Sequence, residues 1–192
     1  MKTQLLKTGA AVLFASLAFT ACKKNDNNPA PDEQELITTI KLTLTNSSNA
    51  TDVHTYTYKV ENGFNSTSPG TVVADTLKLQ AGVQYNTAIA VLNEKATPIA
   101  DVTSEIIGEK DEHLFLYNSV PVTGAGSVTF SGGALDNNSK PFNLTGILTG
   151  NTPGQGKLNL FLMHQPTDKT GTTPATSGGE TDVAAVFPVM VN

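Results

Sequence analysis

The chain has 192 residues, 17 acidic against 12 basic, and every basic residue is lysine. With a net charge of −5 and no arginine forks, it lacks both bidentate phosphate recognition and the clustered positive charge that duplex binding needs, so nucleic acid is not an expected partner. It also has no tryptophan, which weakens an open sugar-binding platform and leaves only the four tyrosines to build one.

Residues 1–21 read as a secretory signal. Lys2 and Lys7 are its positive head, and residues 10–18 are an apolar stretch too short to span a bilayer core of about 30 Å. Phe19, Thr20 and Ala21 precede Cys22 as in a bacterial lipobox. In that reading Cys22 becomes the first residue after cleavage, lipidated on its sulfur and acylated on its amine. Several acyl chains, each CH₂ contributing roughly 0.8 kcal/mol of burial, make a stable anchor without a spanning helix. Cys22 is the only cysteine, so no disulfide forms within the chain and stability must come from a conventional core. Residues 22–35 are polar, Asn-rich and Pro-containing, a tether that cannot bury enough apolar surface to fold. Once Lys2 and Lys7 leave, ten lysines face 17 acids and the net charge is −7. Residues 36–192 are the expected domain.

That domain reads as strands. "ELITTIKLTLTN" alternates, with Leu36, Ile40, Leu42 and Leu44 on one face and Thr39, Lys41, Thr43 and Thr45 on the other. "SSNATD" is a turn. "VHTYTYKV" returns with His54, Tyr56 and Tyr58 on one face. "TVVADTLKLQ" is the next strand, and "VQYNTAIAVLNE" buries Val83, Tyr85, Ile89 and Val91. "DVTSEIIGEKDEH" predicts one short helical turn, with Thr103 or Ser104 as N-cap and Gly108 as its stop. "HLFLYNS" and "GAGSVTFSGG" are strands, "ALDNNSKPF" a loop, and "NLTGILTG" a strand whose glycine suggests a bulge. "GKLNLFLMHQP" points Leu158, Leu160 and Leu162 inward, and Pro166 ends it. "TDKTGTTPATSGG" is a long polar loop. "ETDVAAVFPVMVN" is the last strand, where Pro188 suggests an edge position or an amide facing solvent.

The residues able to carry chemistry are few. His54, His113 and His164 are scattered over three strands, so a zinc or copper site requires them to converge by folding; structural or exposed imidazoles are the commoner outcome. Met163 and His164 are strand neighbours and point to opposite faces, which disfavours a shared copper site. Glu105, Glu109, Asp111 and Glu112 could hold Ca²⁺ or form a solvated acidic loop. Asp136 and Asn138 begin a calcium-type spacing, but Lys140 stands at the next ligand position, so the segment is a turn using Asn and Asp for their tolerance of left-handed backbone. No G-x-S-x-G elbow or Gly-rich phosphate loop occurs, and the one thiol is assigned to lipid. The expectation is a protein that is not an enzyme and has no cofactor.

The lipobox with "CKKNDNN", then "ELITTIKLTLTN", then "DEHLFLY" and "HQP…GGETDVAAVFPVMV" resemble a group of small cell-envelope lipoproteins of the Bacteroidota. The resemblance covers most of the chain after Cys22. It implies outer-membrane attachment, at the periplasmic face or the cell surface, and implies no activity. Some members are labelled as a type 1 periplasmic binding fold, an α/β arrangement that this strand-dominated pattern opposes. "DTL" at residues 75–77 matches a short O-glycosylation pattern of the same phylum, which would place a glycan on Thr76, within a predicted strand.

The expected fold is therefore a single all-β, immunoglobulin-like antiparallel sandwich of eight or nine strands with one short helical turn. Its expected role is a membrane-anchored binding or accessory module for a protein or glycan ligand. The contacts would lie on loops, at Glu109, Asp111 and Glu112 and along the segment from His164 to Glu180 and Asp182. The alternative is a metal-binding envelope protein that holds Ca²⁺, Zn²⁺ or Cu²⁺ with His113 or His164 and nearby carboxylates. A structural or adhesive role is the third.

Overall fold

The structure is a computed structural model that describes residues 36–192. The readings of the signal, of Cys22 and of the tether lie outside the described residues. Two sheets face each other, as expected of an all-β sandwich.

The first sheet grows from the alternating segments at the start of the domain. β1 (Thr39–Asn46) pairs antiparallel with β2 (Val53–Val60) on one side and with β5 (Gln84–Asn93) on the other. The tight turn after β1 is closed by Asn46 Nδ2 donating to the Asp52 carboxylate at 3.0 Å. β3 (Val72–Ala74) extends the sheet beyond β2, β9 (Thr145–Gly150) and β8 (Val128–Ser131) extend it beyond β5, and the two-residue β6 (Ala100–Asp101) also pairs with β5. The second sheet runs β4 (Leu77–Leu79), β11 (Glu180–Val191), β10 (Gly154–His164), β7 (His113–Val120). Among the named strands only β4 and β11 pair in parallel.

Period-two alternation builds the core between the sheets. Ile40, Leu42, Leu44, Tyr85, Ile89, Val91 and Leu148 come from the first sheet. Leu77, Leu79, Phe115, Leu158, Leu160, Leu162, Ala185, Phe187 and Val189 come from the second. Fully burying a Leu or Phe contributes roughly 1.5–3 kcal/mol each, which offsets the missing disulfide. A smaller cluster of Leu114, Leu116 and Met163, with Phe161 packed on it, occupies the outer face of the second sheet. Residues 165–179 cross that face, where Asn118 donates to the Thr172 carbonyl at 2.9 Å.

The structure departs from the sequence reading at several points. Among the described residues there are eleven strands, because "TVVADTLKLQ" is two strands rather than one and β6 adds another. At Asp75 and Thr76 the chain leaves the first sheet for the second. Asp75 holds the crossover by accepting the Thr57 amide at 2.7 Å, and the Tyr56 hydroxyl bridges to the Lys78 backbone at 3.2 Å. Thr76 is therefore on an exposed connection rather than within a strand. β1 begins only at Thr39, so Leu36 is exposed and Ile37 takes the core position, while Thr39 is fully buried. β6, at two residues, is too short to show an alternation in the sequence, and it forms by pairing with Leu92 and Asn93 of β5. The helical turn α1 (Thr103–Gly108) has Val102 as its N-cap and no side-chain cap, because the Thr103 hydroxyl instead accepts the Val91 amide of β5 at 2.8 Å.

The polar loop after β10 contains a second helical turn, α2 (Pro174–Ser177), closed by a Thr173/Thr176 capping box. Pro188 lies in β11, which β10 flanks along its whole length and β4 only from Val189 on; its missing amide thus falls just before the second neighbour begins. In the 136–140 turn the left-handed residue is Ser139 rather than Asn or Asp.

Gly146 makes no bulge; the β9 register runs unbroken against β5 and β8. The glycine is needed because a Cβ there would collide with the Phe130 ring. Gly146→Ala is expected to destabilise the domain by about 1–3 kcal/mol, measured by urea denaturation, because a packed ring has to move. Among the described residues no helix is long and apolar enough to cross a membrane.

Candidate metal centre

Three strands of the second sheet bring their ends together at one end of the sandwich. His113 opens β7 and His164 closes β10, and the two are direct register partners. Parity places them with Phe115 and Leu162, on the inner face. Their rings stack, with centroids 4.9 Å apart and planes inclined by 8°.

The third strand contributes through an irregularity. In β11, Thr181 opposes Met163 and Val183 opposes Leu162, so Asp182 is an extra residue with no partner position in β10. Strict alternation from Val183, Ala185 and Phe187 would turn Asp182 outward. The bulge re-aims it, and Asp182 and Val183 are both buried, at 6% and 1% exposure. One ligand atom from each of His113, His164 and Asp182 lies within 4.8 Å of the others.

The tautomer of His113 follows from its neighbour. Nδ1 is 3.1 Å from the Glu109 carbonyl oxygen, which only accepts, so Nδ1 carries the proton and Nε2 keeps its lone pair. A backbone carbonyl orienting the ring in this way is the usual second partner of a metal-bound histidine. Burial pushes the His113 imidazole below its ordinary pKa. His164 acts in the same direction, while the Glu109 carbonyl and the Asp182 and Glu109 carboxylates oppose it. The ring is then neutral at neutral pH, the form that binds metal.

Two imidazoles and one carboxylate suit a borderline ion such as Zn²⁺ or Cu²⁺ better than Ca²⁺, which takes six or more oxygens. Tetrahedral zinc places its donors roughly 3.3 Å apart, given bonds of about 2.0–2.2 Å. The three groups would therefore have to close in, by on the order of 1 Å at the widest separation, to share an ion. Coordination is in the plane of each imidazole, and two near-parallel planes do not meet at one point. For both imidazoles to hold one ion, at least one of the stacked rings would have to rotate out of this arrangement.

The other predicted residues are placed differently. Glu109 contributes its backbone carbonyl, and its carboxylate is on the surface. Asp111 accepts the amide and side-chain nitrogen of Asn137 at 2.9 and 3.0 Å. The Glu112 carbonyl accepts the Gln165 amide at 2.7 Å, and Glu180, exposed, opposes His164 in the ladder. The acidic loop thus braces its neighbours rather than gathering its carboxylates. His54 lies in the other sheet, paired with Asp52 at 2.8 Å. Met163 packs on the outer face with Leu114 and Leu116, opposite His164, as strand parity requires.

The calcium-type spacing at Asp136 holds an ammonium instead. Lys169 Nζ donates to Asp136 Oδ2 and to the Lys110 carbonyl, each at 2.6 Å, in a largely buried pair. Asp136 Oδ1 accepts the amides of Asn138 and Lys140.

None of the tyrosines forms an open platform. Tyr56 and Tyr85 are buried, Tyr58 packs against Phe64 and Phe187, and Tyr117 stacks on Phe130 at 3.8 Å. The Tyr117–Phe130 pair lines a cleft of about 310 Å³ beneath residues 169–172.

No family model, no curated protein and no solved structure matches this chain.

Proposed function

We propose that this protein is a lipid-anchored envelope protein whose sandwich binds a divalent transition metal ion, zinc or copper in class, through His113, His164 and Asp182. The observation that carries the reading is the convergence of these three side chains, from three adjacent strands, within 4.8 Å. The bulge that turns Asp182 toward the histidines and the carbonyl that fixes the His113 tautomer support it.

Envelope attachment rests on the Cys22 lipobox and on the resemblance to Bacteroidota lipoproteins. The test is calorimetric titration of the metal-free full-length protein with Zn²⁺. One ion per chain is expected; no heat of binding, with no zinc retained after dialysis, overturns the reading. Mass analysis of the membrane-extracted protein tests the anchor, with an N-terminal acylated Cys22 expected.

A further inference from the structure

We infer that an ion at this site keeps one coordination position open to solvent past His164, and that this position takes a small monoanionic donor, hydroxide or a carboxylate group. The inference rests on the metal-binding reading above.

Ligand count is the first argument. Among the described residues the group able to share an ion consists of His113, His164 and Asp182. Three protein ligands leave a tetrahedral ion one position short, the pattern of sites that bind an exogenous ligand.

Exposure gives the direction. His113 and Asp182 are each 6% exposed, while His164 is only half-buried at the end of its strand. An ion held there would be walled on the β7 and β11 sides and accessible along β10.

Charge selects the ligand class. Two neutral imidazoles, one carboxylate and a divalent ion sum to a single positive charge. In a half-buried site that charge is poorly solvated, and one monoanion neutralises it, whereas a dianion would leave the site negative. Glu109, Asp111 and Glu112 before His113, Asp168 after His164, and Glu180 opposite His164 in the ladder are exposed and screened by water, so they do not supply that neutralisation from within. A divalent ion would acidify a water bound to it, so hydroxide is the smallest monoanion that could take the position, and a carboxylate could take its place.

Cobalt substitution tests this. The full-length protein is loaded with one Co²⁺ per chain, and its visible absorption is followed during titration with azide, acetate and sulfate. Saturable spectral changes with azide and acetate, and none with sulfate, are expected; they should be lost in His164→Gln. A bound Co²⁺ whose spectrum ignores azide and acetate overturns the open position. Sulfate acting like the monoanions overturns the charge argument. Failure to bind Co²⁺ at all instead removes the metal-binding reading, and the inference falls with it.

Discussion

Replacing His164 with alanine is expected to weaken zinc binding by on the order of a hundredfold or more while leaving the sandwich folded. Losing even a residue that merely orients a ligand costs about 10–100-fold, and His164 would be a ligand itself. Its half-buried place at the last position of β10 keeps the structural cost small, since Leu158, Leu160 and Leu162 carry that strand's share of the core. His113→Ala should match it in affinity but also lose some stability, because the ring is buried and its Nδ1 holds the Glu109 carbonyl. Zinc titration of both variants, with circular dichroism as the check on folding, measures the effect. Unchanged affinity in a folded His164→Ala protein would place the metal elsewhere.

Lys169→Met is expected to destabilise the domain by about 3 kcal/mol, lowering Tm by roughly 6–12 °C. The Lys169 and Asp136 side chains are only 9% and 1% exposed, so removing the ammonium strands a buried carboxylate. The same ammonium ties residues 165–179 to the Lys110 carbonyl, which couples the loop across the outer face to the turn before β7. Adding Asp136→Asn to Lys169→Met should recover much of the loss, since the amide oxygen still accepts the Asn138 and Lys140 amides without a charge. Thermal unfolding of the single and double variants decides; equal loss in both would mean that the charge is not the cause.

Acid gives a second view of the same pair. Burial opposes ionisation of Asp136, but the hydrogen bonds from Lys169, Lys140 and Asn138, with the lysine charge, outweigh it and hold the carboxyl below its ordinary range. The unfolded state therefore binds the proton first as pH falls. The stabilisation is complete above the unfolded aspartate value near pH 4 and is lost as pH drops through the lower folded value. Lys169→Met should flatten that part of the stability curve.

The strands were legible because alternation is local. "KLTLTN", "HLFLYNS" and "GKLNLFLMHQP" each show their inner face within a few residues, and the sandwich forms from them. The break in "TVVADTLKLQ" was not legible: both halves favour strand, and the change of sheet at Asp75 depends on a partner, the Thr57 amide, 18 positions away. The same limit applies to the site. Parity with Phe115 and Leu162 already turns His113 and His164 inward, so their sharing a face could be read from the sequence. That they are register partners needs the order β11, β10, β7, which no local pattern contains. Asp182 is harder still, since alternation with Val183 and Ala185 gives it the wrong face and only the bulge corrects it. The cation that Asp136 holds was likewise hidden, because Lys169 lies 33 residues further on.

X-ray absorption at the zinc edge of the loaded full-length protein tests the central claim most directly. Two imidazole nitrogens and a carboxylate oxygen at about 2.0–2.2 Å, with one further light atom, are the predicted first shell. A shell containing sulfur, or one without imidazole scattering, would contradict it.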